Sequence, residues 1–583
     1  MKEGKFMHFI LSYLKKYKWW VLLDMISVFG FALCELGIPT IVAEMIDQGI
    51  YNMDMQIVYR YGIFLAILCI FGVSLTILLG YCSSYIATSV SKDIRNDIFG
   101  KVQKFSASEM DHFGISSMIT RTNNDAYQIQ LFTNVLLRTA LLTPVMMFSS
   151  FVMTLKASFT LSMVILATIP FIVIGVIVVA KLSAPISEHQ QKALDGLNLI
   201  SKENLSGLKV IRSFNQEQYE SNRFFKQNDI FTHDSKKLYW IMMMNSPLFF
   251  FLMNLAILAI YIIAIDLIEI RSIQVGQLVA FMDYLFHAMF SVMLFCSIFM
   301  QYPRARVSAK RIKAVLDHPI VIVDAYQNQE MEDVETLSFE QVSFSFDEKQ
   351  RPTLNQIDFE VKKGETLAFV GSTGSGKSTL IHLIPRLYDV DKGAIKINGK
   401  NIKEYSLNAL RNKIAFVRQK AFLFQGSIRD NLLFAKADAS QKEIDEVCKL
   451  AQAYDFIMKK PNGFDEILSE GASNLSGGQK QRLSIARALL KNSDIYIFDD
   501  AFSALDFKTD AKIRKALKTI MKDKIMIIVA QRISTIMDAD QIVVLHDGKM
   551  IAKGKHQQLL KECDIYREIA YSQLAMEELH DED

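Results

Sequence analysis

The chain has 583 residues, 51% of them hydrophobic, and its 65 Lys and Arg nearly balance 62 Asp and Glu for a net charge of +3. That length allows two domains or more, and so small a net charge gives no argument for a nucleic-acid partner. The apolar residues crowd into the first half, which puts a membrane ahead of every other reading. The six cysteines (Cys34, Cys69, Cys82, Cys296, Cys448 and Cys563) form no CxxC pair, and four lie in or beside apolar segments. They read as small hydrophobes in a reducing compartment, not as a disulfide or zinc framework.

Six apolar stretches precede residue 302, at about 19–43, 58–88, 129–155, 157–183, 241–265 and 274–300. Each is long enough to cross a hydrocarbon core, which takes about 20 helical residues. The first begins at Trp19 and has no small-residue cleavage site after it, so no cleavable leader is expected. Basic residues set the orientation. Lys2, Lys5, Lys15, Lys16 and Lys18 precede the first span, whereas the loop 44–57 carries Glu44, Asp47 and Asp54 and neither Lys nor Arg. The connections after the second, fourth and sixth spans are again basic, including Arg95, Lys101, Arg121, Lys209, Arg212, Lys236, Arg306 and Arg311. This alternation places both termini and the second half in the cytoplasm. The two long basic connections have a helical pattern, so spans two to five are expected to continue as helices beyond the membrane.

The spans are rich in Met and aromatic side chains, among them Met242, Met253, Met289, Phe249, Phe250 and Phe290. These suit an adaptable apolar cavity and equally suit ordinary packing. Asp283 and His287 stand out in the sixth span. At i and i+4 they share a helix face, and ionisable groups in a span usually meet a cavity or a partner. They are candidates for the translocation path, favouring cationic amphiphiles, with helix pairing or gating as the alternative.

The pattern divides the chain into a membrane domain at 1–315, a connector at 316–335, and an α/β domain at 336–583 where short β-rich runs alternate with helical ones. In the last of these, Gly371-Ser372-Thr373-Gly374-Ser375-Gly376-Lys377-Ser378-Thr379 follows the apolar run Thr366-Leu-Ala-Phe-Val and precedes Leu380-Ile-His-Leu-Ile. This is GxxxxGK(S/T) between a strand and a helix, the context that gives the pattern meaning. Its glycines let backbone N–H groups wrap phosphates; Lys377 would reach the β- and γ-phosphates and Ser378 would ligate Mg²⁺. Asp499, closing Ile495-Tyr-Ile-Phe498, is the candidate second Mg²⁺ anchor. Leu475-Ser476-Gly477-Gly478-Gln479 then opens a helix at about 480–490, making a second anion site separate from the first.

Together these residues resemble the nucleotide-binding domain of ABC transporters, and the six-span half resembles that family's exporter membrane domain. The likeness covers nearly the whole chain. It implies an α-helical membrane domain of the type I exporter fold followed by an α/β P-loop ATPase. It extends to Gln419 as the Q-loop residue and a further Mg²⁺ ligand, to Glu470 just before the signature, and to Asp506 in the D-loop Ser503-Ala-Leu-Asp506. Phe346 falls where the family stacks an aromatic ring on adenine. The segments near Asp111–Met118 and Phe214–Glu220 match its two coupling helices. In this family two nucleotide domains meet head to tail, each ATP lying between one chain's phosphate loop and the other's signature.

Two positions depart from the family pattern. Asp500 stands where a glutamate polarises the attacking water, drawing the carboxylate back by one C–C bond, ~1.5 Å. Gln531 stands at the switch-histidine position; it can donate to a γ-phosphate but carries no imidazolium charge. Ala472 and Ser473 also differ from the usual glycine-rich approach to the signature. Phosphate loop, Asp500 and Gln531 belong to one composite site, while the intact signature, Ser476 to Gln479, serves the other. The pattern therefore predicts a second, homologous chain with Glu and His at the two departed positions, as in heterodimeric bacterial multidrug exporters with one degenerate site. A non-hydrolysing regulatory clamp and a homodimeric lipid or peptide exporter stay open as alternatives. Substrate-processing peptide export is disfavoured, since no peptidase-like stretch precedes the first span.

Overall fold

Long runs of apolar residues with few helix breakers account for the helices that fill the first half of the chain. The computed structural model describes residues 3–270, 272–324, 331–346 and 351–573. Residues 325–330 of the expected connector, and the side chain of Cys296, lie outside the described part. Two compact units emerge: Met1–Gln103 with Ile115–His318, and Lys104–Gly114 with Pro319–Asp583.

In the first unit the main helices are α1 (Glu3–Leu14), α2 (Lys18–Glu44), α3 (Met55–Val102), α5 (Ala126–Ala157), α6 (Phe159–Ser213), α7 (Glu217–Met243), α8 (Asn245–Glu269) and α9 (Val275–Leu316). The short helix α4 (Ala107–Phe113) belongs to the second unit. Among the described residues six segments are long and apolar enough to cross a membrane, and each contains an expected span or most of one. The helices run well past what a span needs. With 48 residues in α3 and 55 in α6, they reach roughly 72 and 82 Å at 1.5 Å per residue. Both segments matched to coupling helices interrupt such long helices. The first is α4 with its break at Gly114, whose φ of +76° favours glycine; the second is the turn 214–216, with Asn215 at φ +53°.

The second unit is built on two main sheets, with a small two-stranded ribbon of residues 426–427 and 467–468 beside them among the described residues. The first has strand order β2-β1-β4-β5, from β1 (Thr336–Phe344), β2 (Leu354–Lys362), β4 (Lys392–Ile397) and β5 (Lys400–Asn401). The second has order β10-β9-β3-β8-β7-β6, from β3 (Thr366–Val370), β6 (Ile414–Val417), β7 (Ile495–Asp499), β8 (Ile525–Val529), β9 (Gln541–His546) and β10 (Lys549–Gly554). Strands β3, β6, β7, β8 and β9 pair in parallel, and only β10 is antiparallel to its neighbour. Parallel strands covered on both faces read as continuous apolar runs. That is why Ile495–Asp499 and Ile525–Val529 are buried throughout. Successive side chains of each strand enter opposite cores: Phe498 and Ile528 pack with Leu483 and Ile485, whereas Ile497 and Ile527 pack with Leu380 and Ile395. Helix α10 (Lys377–Leu383) follows β3, α11 (Gly477–Leu490) precedes β7, α12 (Phe507–Ile520) precedes β8, and α13 (Asp564–Tyr571) lies near the end.

Candidate nucleotide site

The phosphate loop lies at the carboxyl end of β3, the edge where open parallel sheets place ligands. Gly376 takes φ +96°, and a Cβ there would fall 2.7 Å from Leu354 Cδ2 and 3.0 Å from the Thr353 carbonyl. Only glycine fits that turn. The ammonium of Lys377 donates to the loop's own carbonyls, Gly371 O at 2.8 Å and Ser372 O at 2.7 Å, and to Ser375 Oγ at 3.3 Å. Burial lowers its pKa from the ordinary lysine value, with the Asp500 and Asp499 charges working the other way.

Asp499 ends β7 and accepts a hydrogen bond from Ser378 Oγ at 3.1 Å. Its pKa is raised, chiefly by burial. A hydroxyl and a carboxylate oxygen already side by side suit Mg²⁺, which prefers oxygen ligands and keeps several waters. Ser378 and Asp499 would hold the ion, which would neutralise charge on the β- and γ-phosphates.

Asp500 follows in a left-handed turn, φ +46°, and is 8% exposed. Its Oδ2 accepts two amide N–H bonds, from Gln531 Nε2 at 2.9 Å and from Gln419 Nε2 at 3.1 Å. The structure therefore gathers Gln419, Asp500 and Gln531 around one carboxylate oxygen. The amide nitrogen of Gln419 is engaged with Asp500, while Ser378 and Asp499 pair with each other. Gln531 is held from behind as well: Gln573 donates to the Gln531 carbonyl at 2.8 Å and accepts from Ile533 N–H at 2.9 Å. Gln573 carried no signal in the sequence, being a lone glutamine outside any motif.

Phe346 is 58% exposed and meets Phe344 edge-on at 5.0 Å. Ser372, Thr373, Gly374 and Thr379 complete the loop and the first turn of α10. The signature opens α11: Ser476 is its N-cap, its Oγ accepting from Gln479 N–H while Gln479 Oε1 accepts from Ser476 N–H. A Cβ on Gly477 would meet open space, whereas one on Gly478 would come 3.1 Å from the Ala504 carbonyl of the D-loop. Asp506 caps α12 through Thr509 N–H at 2.9 Å.

Comparison with known proteins decides the family. Residues 354–503 match the ABC transporter family and residues 21–293 match the ABC transporter transmembrane region. An uncharacterized ABC transporter ATP-binding protein of Bacillus subtilis, YfiB, is 36% identical over 97% of this chain and 98% of its own length. This chain belongs to the ABC exporters. Its transmembrane and ATP-binding domains are fused in one polypeptide, a half-transporter. An uncharacterized relative from Mycobacterium tuberculosis is 33% identical over 93% of this chain and 94% of its own length. The ATP-dependent lipid A-core flippase of Vibrio parahaemolyticus is 28% identical over 96% of each.

The exporter's membrane half places its ionisable residues less simply than the sequence suggested. Asp283 of α9 is exposed. His287 is partly buried with its Nε2 3.9 Å from Glu35 Oε1 on α2. One turn of α9 away, the Tyr284 hydroxyl lies 2.6 Å from Thr40 Oγ1 of α2. A polar seam thus joins these two helices. Glu35, like the fully buried Asp24 of the same helix, went unremarked in the sequence. The rarity of carboxylates inside a span was the signal that could have found both.

Proposed function

We propose that this chain is one half of an asymmetric ABC exporter in the plasma membrane, with both termini and the ATPase domain in the cytoplasm. Its own phosphate loop binds Mg-ATP but turns it over slowly. Its signature completes the active site of a second, homologous half-transporter with Glu and His at the positions of Asp500 and Gln531. The observation that carries this is the double hydrogen bond on Asp500 Oδ2. A carboxylate already one C–C bond short is held back by two amides where the family needs it to polarise a water. A ~1 Å misplacement of a catalytic group can cost about 10²-fold in rate. Ser476–Gln479, by contrast, keeps every signature residue and a capped helix start.

Transport follows from this assembly in the manner of the family. Two ATPs join the nucleotide domains, and turnover at the partner's site lets them part. The segments near Asp111–Met118 and Phe214–Glu220 carry the change to the spans. The substrate is a hydrophobic or cationic amphiphile passing Asp283 and His287, with Glu35 as a further carboxylate beside His287. Replacing Asp283 with Asn is expected to lower efflux of a cationic dye from proteoliposomes severalfold and to leave a neutral dye unaffected. Equal efflux of the cationic dye by variant and wild type would remove the carboxylate from the substrate path.

The flippase name of the Vibrio relative favours a second reading, in which the cargo is a lipid. A fluorescent phospholipid moved between leaflets in an ATP-dependent manner by the same proteoliposomes, with no dye efflux, would select it.

A further inference from the structure

The aromatic residue at the adenine position has a neighbour to which the exporter reading gives no role. Tyr388 follows α10 and is partly buried. Its ring meets Phe346 edge-on, with centroids 5.4 Å apart and planes at 89°, and lies 5.6 Å from Phe344. Its hydroxyl points the other way and donates to Asp111 Oδ2 of α4 at 3.1 Å.

Both ends of this bridge are firmly set. On the ATPase side, Arg386 is bonded twice to Asp389, at 2.9 and 3.1 Å, and its carbonyl accepts from Arg411 at 3.0 Å. The turn bearing Tyr388 is therefore pinned. On the α4 side, Glu109 accepts from Ser106 N–H in a capping box and from Val321 N–H at 2.7 Å. Two carboxylates thus fasten α4 within its unit, one to residues that follow the long α9 and one to Tyr388. Burial, helped by the bond to Asp111, pushes the Tyr388 phenol up to about 12. The hydroxyl is therefore a proton donor throughout the neutral range.

We propose that Tyr388 is a positioning residue that ties the adenine platform to α4: its ring braces Phe346 and its hydroxyl holds Asp111, so a base settling on Phe346 is felt at α4 through one side chain. An edge-to-face pair depends on the relative tilt of its two rings. A base lying on the exposed face of Phe346 fixes that tilt, and Tyr388 passes the constraint to Asp111 without itself touching the nucleotide. This rests on the reading of Phe346 as the adenine platform.

The two halves of the bridge can be cut separately. Tyr388→Phe keeps the ring and removes the bond to Asp111; Asp111→Ala removes the acceptor; Asp111→Asn leaves an amide oxygen that still accepts. The full-length protein, with whatever subunit accompanies it, is placed in lipid nanodiscs. ATP occupancy is followed by displacement of a fluorescent ATP analogue, and hydrogen exchange of residues 104–114 is compared with and without Mg-ATP. In the wild type, Mg-ATP is expected to slow exchange in 104–114. In Tyr388→Phe and Asp111→Ala that slowing falls at least fivefold at matched ATP occupancy, and Asp111→Asn restores it. An ATP effect at 104–114 that survives Tyr388→Phe, or that is absent from the wild type, overturns the proposal. So does a failure of Asp111→Asn to behave differently from Asp111→Ala. Phe346→Ala tests the underlying reading alone: unchanged ATP affinity there removes the adenine platform, whatever the exchange experiment shows.

Discussion

Lengthening Asp500 to Glu is expected to raise ATP turnover at this chain's own site by up to about 10²-fold. The wild-type carboxylate falls short by ~1.5 Å. Its Oδ2 is also occupied by the amides of Gln419 and Gln531, at 3.1 and 2.9 Å. One further methylene carries the carboxylate past that amide pair toward the position where water attacks. Phosphate release is the readout, with the catalytic glutamate of the proposed second chain removed so that only this site is counted. Adding Gln531→His should increase the gain, because the amide that holds the carboxylate is replaced by an imidazole, which can carry positive charge beside the γ-phosphate. If turnover stays at the wild-type level in both variants, the site is an ATP clamp that does no chemistry, and the partner performs all hydrolysis.

The second large effect concerns the other composite site. Gly477→Asp is expected to abolish turnover of the whole complex, by on the order of 10²-fold or more, the scale of losing one preorganised donor to a developing charge. The structure selects Gly477 over its neighbour. A Cβ at 477 meets nothing, whereas one at 478 presses on the Ala504 carbonyl. An acidic residue in the first turn of a helix is favourable for the fold, so α11 keeps its start while a negative charge stands where the proposed assembly puts the other chain's γ-phosphate. ATP binding to this chain's own phosphate loop, which Gly477 does not line, should remain. If ATP binding at that loop fell together with turnover, the assignment of the signature to the opposite site would be wrong.

Much of this protein was legible from its residues. The spans announced themselves because a helix in lipid must be apolar for about 20 residues, and β3 and β7 because strands buried on both faces admit almost nothing polar. The phosphate loop was equally plain, since a turn with φ +96° at Gly376 and no room for a Cβ leaves the sequence no choice. Other features could not be read. The Glu35–His287 approach, the Tyr388–Asp111 bond and the grip of Gln573 on Gln531 each join residues far apart in the chain. Such pairs are fixed by how elements pack, and a residue's local pattern, even where it is distinctive, does not name its partner. Asp500 shows both sides. Its shortening was visible in the sequence, but its capture by two glutamines was visible only once Gln419, Asp500 and Gln531 had been brought together by three separate loops.

In the proposed assembly this chain works beside a different one. The measurement that tests it most directly is the composition of the complex: the chain is tagged in its native membrane, purified gently, and its mass and chain species determined. A dimer of two species in equal amount is expected, the second carrying Glu and His where this chain has Asp500 and Gln531. A dimer holding this chain alone would contain two Asp500 sites and two intact signatures, and would contradict the asymmetric mechanism.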